Sequence, residues 1–192
     1  MRPYPLRPEE LVDDVLSELD AVTERVRVRF GGLSREQLAW QPSPNRWGVG
    51  HCLAHLARTN EAYRGALSGA LRAGRESGAL AAGPLRGRWT GRLFTRMVGP
   101  GSGVSMKSPG VFLPIQETVA EAALDAFLAE QHLIRAVAEE GRGLDLDALF
   151  VVSPASSVVR LTAGDALRAL AAHELRHLSQ AEHVMATPGF PR

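Results

Sequence analysis

Apolar side chains recur every three to four residues in four separate segments of this chain, and that period belongs to helices rather than strands. Leu11, Val15, Leu19, Val22, Val26 and Phe30 form the first stripe. Glu9, Glu10, Asp13 and Asp14 charge its first turn, where the positive end of a helix dipole favours carboxylates, and Gly31-Gly32 ends it. Val49, Leu53, Leu56, Tyr63, Leu67 and Leu71 form a second stripe from about Gly48 to Leu71, with His55, Thr59 and Ala62 along its edge. A third runs from Gln116 to Glu140 through Val119, Ala123, Phe127, Leu128, Leu133, Ile134 and Val137, closing at Gly141. Thr162-Ala163-Gly164-Asp165 reads as a capping box for the fourth, which continues to about Ala186 before Pro188-Gly189-Phe190-Pro191. Four long helices with no convincing sheet predict an all-α fold, an antiparallel four-helix bundle.

The intervening segments are short or irregular. Met1 to Pro8 carries three prolines and reads as an extended lead-in. Ser34-Arg35-Glu36-Gln37 fits a capping box for a single short turn that Gln41-Pro42-Ser43-Pro44-Asn45 breaks. Gly74 to Pro114 holds many of the glycines and prolines and has no sustained period, apart from a short helix expected over Arg88 to Val98 that carries Trp89, Phe94 and Met97. An irregular excursion of about forty residues between the second and third helices is unusual in a compact domain, which marks residues 74–114 as a lid candidate. Asp145 to Arg160 reads as a connecting arm without strand pairing.

The composition narrows the partners. The 192 residues predict one domain over 1–192, and 45% apolar content suffices for its core. A formal charge of +1 with interspersed signs offers nothing to nucleic acid or an anionic membrane. The partner expected is a small-molecule substrate, with a homodimer left open. Lys107 is the only lysine, and the arginine-rich usage reads as GC-rich coding rather than arginine-based recognition. Cys52 stands alone, so no intramolecular disulfide forms. Neither a signal peptide nor an 18-residue apolar span is evident, and a cytoplasmic protein is expected.

The chemistry concentrates in Ala171-Ala172-His173-Glu174-Leu175-Arg176-His177-Leu178-Ser179-Gln180. Two imidazoles four residues apart share a helix face, with Cβ atoms roughly 5–6 Å apart, and can converge on one divalent cation at about 2.0–2.1 Å per nitrogen if it is zinc. Both lie in the row Ala166, Leu170, His173, His177, Gln180 and Val184, so they should point inward. Bundle sites are assembled from facing helices, which makes His55 the natural third ligand. Three neutral imidazoles leave open positions, the mark of a catalytic rather than a structural metal. His51, one turn before His55, is a competitor, better read as a polar residue of the first turn near the bundle end. His132 reads as a surface or boundary residue. His183 falls about 240° around and 9 Å along the helix from His177, out of reach of the same ion. His173 to His177 also satisfies H-E-x-x-H, the zinc-protease pattern with Glu as base. The longer version of that pattern needs Gly where this chain has Gln180, and Gln180 favours continuing the helix.

Arg46-Trp47-Gly48-Val49-Gly50-His51-Cys52-Leu53-Ala54-His55-Leu56, paired with Ala172-His173-Glu174-Leu175-Arg176-His177-Leu178-Ser179-Gln180, resembles the DinB-like and YfiT-like superfamily of four-helix metal-binding proteins. There a Trp opens the second helix, a His-Leu pair follows about two turns on, and the last helix carries H-x-x-x-H with a Gln three residues later. The resemblance covers the chain by helix order and spacing, and implies His55, His173 and His177 as ligands, choosing His55 over His51. It implies a metal-dependent enzyme of the thiol-dependent S-transferase type acting on small electrophiles, with a low-molecular-weight thiol as cofactor. A tri-histidine cation can lower the pKa of a bound thiol. The alternatives are a metal-dependent hydrolase on the same site and a non-catalytic, stress-related helical binding protein. Zinc or nickel leads among the metals, with iron and manganese also compatible. Glu174 reads as a solvated helix residue or a nearby base, and Gln180 as a hydrogen-bonding or packing neighbour of the ligands.

Overall fold

The structure is a computed structural model and describes residues 1–103, 107–114 and 122–192. Six helices in these residues run α1 (Pro8–Phe30), α2 (Arg35–Ala39), α3 (Val49–Glu76), α4 (Trp89–Val98), α5 (Ala123–Glu139) and α6 (Ala163–Met185). A single 3₁₀ turn at Gly110–Phe112 and two strands, β1 (Phe150–Ser153) and β2 (Ser156–Thr162), complete them. The fold is therefore mostly helical. Of the third stripe, Gln116 to Glu121, including Val119, lies outside the described residues. None of the described helices is long and apolar enough to cross a membrane.

The stripes bury as their period requires. All six apolar residues of the α1 stripe are 2% exposed or less, and those of the α3 stripe are equally internal apart from Tyr63, which is also buried. On α5, Phe127 and Ile134 are buried, but Leu133 is 40% exposed and Gln131 takes an inward place instead. Residues 127, 131 and 134 lie four and three apart on one face, and Leu133 is turned off it. Ser34 caps α2 as expected, its hydroxyl accepting from Gln37 N at 3.2 Å while the Gln37 side chain accepts from Ser34 N. Thr162 caps α6 by accepting from Asp165 N at 3.1 Å, but Asp165 does not return the bond. Its carboxylate accepts instead from Arg88 N at 2.9 Å and from the Tyr4 hydroxyl at 3.2 Å.

Ion pairs between helices reveal their directions. Asp13 pairs with Arg142 at 2.7 Å and Asp20 with Arg135 at 2.8 Å, so α1 and α5 run oppositely. Arg64 pairs with Glu130 at 3.0 Å and Arg75 with Glu140 at 3.5 Å, so α3 and α5 run the same way. The buried clusters agree, since the N-terminal halves of α1 and α6 pack with the C-terminal halves of α3 and α5. The expectation of antiparallel neighbours throughout is corrected for α3 and α5 and likewise for α1 and α6, whose corresponding halves pack together. Two parallel neighbours need a connection long enough to return the chain along their whole length, and the segment after α3 provides it.

In its described residues, 77–103 and 107–114, that segment is more ordered than its composition suggests. The expected short helix forms as α4 and packs on α6. Leu6 and Leu85 form an antiparallel bridge, as do Leu80 and Leu144, pinning the connection at two places. Gly91 lets α4 lie against α6, since a Cβ there would sit 2.1 Å from Asp165 Oδ2. The connecting arm expected over Asp145 to Arg160 is also corrected. It contains an antiparallel hairpin with Phe150 opposite Thr162 and Val151 opposite Leu161. Val151 and Leu161 face the core, and the register slips after Val152, which shortens the period-two signal below what a sequence reveals.

Asp165 ties the N-terminal lead-in and the start of α4 to α6 while being 1% exposed. Asp165→Ala leaves the Arg88 N–H and the Tyr4 hydroxyl without their acceptor, and should cost about 2–3 kcal/mol in urea unfolding. Asp165→Asn, which retains an acceptor oxygen, should cost clearly less.

Candidate metal centre

α3 and α6 run in opposite directions and face each other, bringing together histidines distant in sequence. His173 Nε2 lies 3.3 Å from His55 Nε2 and 3.1 Å from His177 Nε2. The ring centroids of the three are 4.5 to 5.1 Å apart. His55 Nδ1 is 2.8 Å from the Phe112 carbonyl oxygen, which can only accept, so Nδ1 carries the proton and Nε2 of the neutral ring keeps its lone pair. That lone pair faces the other two Nε2 atoms.

The donor set fits a divalent cation. Nitrogens each about 2.0–2.1 Å from one ion, at tetrahedral to octahedral angles, stand about 2.9–3.4 Å apart, and the separations of 3.3 and 3.1 Å fall inside that range. One ring nitrogen from each of His55, His173 and His177 lies within 4.8 Å of the other two, so these residues could hold a metal ion. Burial lowers the pKa of each imidazole below the usual histidine value. For His177 the value is pushed down to about 3, chiefly by burial, then by His55 and Arg176, with the Gln180 side chain acting the other way. All three rings are thus neutral near pH 7, the form that ligates.

The cluster lies in the wall of a cavity of about 1000 Å³. Trp47, just before α3, packs its ring 4.8 Å from that of His55 and 5.8 Å from that of His177. Phe112 comes over from the long connection, its ring 6.4 Å from His55 and 6.0 Å from Tyr63. Trp47 and Phe112 thus flank the histidine rings within the same cavity wall. The family model of the DinB superfamily matches residues 18–181. The chain belongs to the DinB superfamily. Neither curated proteins nor solved structures give a significant match.

In this DinB-superfamily chain the other histidines stay apart from the cluster. His51 is buried in the first turn of α3 and contributes no atom to it. His132 is exposed on α5, as expected. His183 is exposed and its Nδ1 lies 2.9 Å from the Ser179 carbonyl, one turn back, because α6 continues unbroken through Gln180. Gln180 itself lines the cavity beside His177.

Glu174 is neither solvated nor a base at the cluster, and both expectations are corrected. It is fully buried, with Oε1 accepting from Asn60 Nδ2 and from Gln131 Nε2 at 2.7 Å each. One residue past His173 on a helix is a step of about 100°, which turns Glu174 from the cavity toward α3 and α5. Asn60 and Gln131 were missed by the sequence reading. The available signal was a polar residue inside each buried face, Gln131 between Phe127 and Ile134 above all. The Phe112 carbonyl left no sequence signal, since a backbone acceptor carries no side-chain identity.

Burial raises the Glu174 pKa to about 7, against the pull of the Asn60 and Gln131 hydrogen bonds. A carboxyl with a raised folded-state pKa stabilises most below its unfolded value near 4.5, and that contribution is lost as pH rises through about 7. The buried histidines act in the opposite sense, so the difference between two proteins is the useful quantity. In chelator, the stability of wild type relative to Glu174→Gln should fall by roughly 3 kcal/mol between pH 5 and 8. Parallel urea-unfolding curves for the two proteins at each pH measure it, and a constant difference refutes the assignment.

Proposed function

We propose that this protein is a metal-dependent enzyme in which His55, His173 and His177 hold one divalent transition metal, and that it transfers a low-molecular-weight thiol to a small electrophile. The observation that carries the reading is the convergence of three neutral Nε2 atoms on the wall of a cavity with room for two reactants. On this reading the four long helices form the DinB-type four-helix bundle.

The histidines hold the ion through neutral nitrogens, and the Phe112 carbonyl keeps the His55 ring turned the right way. A divalent ion held there supplies Lewis acidity and lowers the pKa of a thiol or water brought to it. Trp47 and Phe112 set apolar rings beside the histidines in place of water, which strengthens electrostatic interactions at the centre. Hydrolysis on the same site is the weaker reading. Water on the same ion would be its nucleophile, and the Glu base of the H-E-x-x-H protease pattern is engaged with Asn60 and Gln131 and does not line the cavity. Zinc and nickel suit the three nitrogens best, with iron and manganese compatible.

Elemental analysis of the purified protein should find one bound divalent ion per chain. His55→Ala, His173→Ala and His177→Ala should each weaken that binding by more than the about 10–100-fold typical of losing an outer hydrogen-bond partner, with helical content retained. The loaded protein should conjugate bacillithiol, mycothiol or glutathione to monobromobimane faster than the His173→Ala protein. Turnover of ester substrates without thiol, and no rate gain with any thiol, would replace transfer by hydrolysis. Metal loss without any change in either activity would leave a binding protein.

A further inference from the structure

The cavity extends past the imidazoles in both directions along α6, from Ala166 to beyond Val184, and its two ends differ in chemistry. Toward the C-terminal end of α6 the wall offers Asn45, Arg46, Gln180, His183 and Thr187. Toward the N-terminal end it is built from Tyr63, Phe94, Phe112, Leu161, Ala166 and Leu170. These six side chains carry no charge, and the polar atoms of Tyr63 and of neighbouring Ser153 and Thr59 are engaged within the protein. The Tyr63 hydroxyl and Ser153 Oγ are 3.0 Å apart and bonded to each other. Thr59 donates its hydroxyl to the His55 carbonyl at 2.8 Å. A ligand entering this arm meets chiefly apolar surface, although Lys107 and the unpartnered, buried Ser108 Oγ also belong to the cavity wall, so an occupant that is hydrophilic along its length would regain little of the hydration it loses.

We propose that this arm binds the apolar body of the substrate, an alkyl or acyl chain whose reactive head lies at the three histidines. The seven residues from Ala166 to His173 span about 10 Å of helix axis, which matches a saturated chain of about eight carbons. Ala166 provides the depth, because a larger side chain there fills the arm, and Leu170 bounds it from the side. The inference rests on the proposed metal centre only for the position of the head, since the arm recognises the chain by burial alone.

Acetohydroxamic and octanohydroxamic acids share a metal-chelating head and differ only in chain length. Titrated into zinc-loaded and zinc-free protein, with calorimetry and Trp47 fluorescence as readouts, they separate the two readings. Binding to the loaded protein should tighten by up to about fourfold for each of the six added methylenes, giving between about 100-fold and about 4000-fold for the octyl compound. Ala166→Leu should erase most of that gain and leave acetohydroxamate binding unchanged. Leu170→Ala should move the best chain to a longer homologue, which a merely damaged fold does not do. If acetohydroxamate binds and the octyl compound binds no tighter, the arm is refuted and the metal centre stands. If only the octyl compound binds, with or without zinc and sensitive to Ala166→Leu, the arm stands and the metal centre fails. If neither binds, both are refuted.

Discussion

Three imidazole nitrogens can share one point only if the helices that carry them are locked in register, and the lock in this protein is a buried carboxylate. Glu174 stands on α6 beside His173 and takes one hydrogen bond from α3 through Asn60 and one from α5 through Gln131. Gln131 in turn lies 3.4 Å from the Thr23 hydroxyl of α1. Four helices thus meet around one carboxyl. An apolar interface tolerates small slips, because burial has no direction, whereas a buried hydrogen-bonded acceptor loses its partners when a helix slides. The polar network costs stability through desolvation and returns a fixed relation between His55 on α3 and the pair on α6.

The connections matter as much as the helices. Because α3 and α5 run in the same direction, the chain has to travel back between them, and it does so along the face where the three histidines lie. On the way it contributes Phe94 and Phe112 to the cavity and a carbonyl to His55. The hairpin before α6 closes the other side with Leu161 and Ser153. A segment without internal period therefore sets much of the chemical character of the cavity, including its division into a polar and an apolar end. Members of one superfamily can hold the same metal-competent cluster and differ in what the cavity accepts, since these connecting walls are the parts least constrained by core packing.

Legibility followed periodicity. The stripes of α1, α3 and α6 were readable because each buries a single continuous face, and His55, His173 and His177 were readable because they lie on or beside those faces at helical spacing. Leu133 and Gln131 exchanged expected places on α5 because hydrophobicity outweighs polarity in any pattern count, while the structure needed a donor for Glu174. Glu174 itself looked solvated, a fair expectation for a carboxylate with no visible partner, and its partners came from helices distant in sequence. The hairpin escaped because four- and seven-residue strands with a register slip leave almost no alternation to detect.

Local physical chemistry was thus sufficient for the helices, the N-terminal caps at Ser34 and Thr162 in substance, and the three nitrogens that converge, since each depends on spacing along one segment or on a motif at fixed separation. Tertiary structure decided the parallel course of α3 and α5, the burial of Glu174, the Phe112 carbonyl behind His55 and the apolar arm of the cavity. Each of these depends on which surfaces meet across long stretches of chain, and a meeting of that kind is settled by the total free energy of packing and hydrogen bonding, not by the order of residues in any one segment.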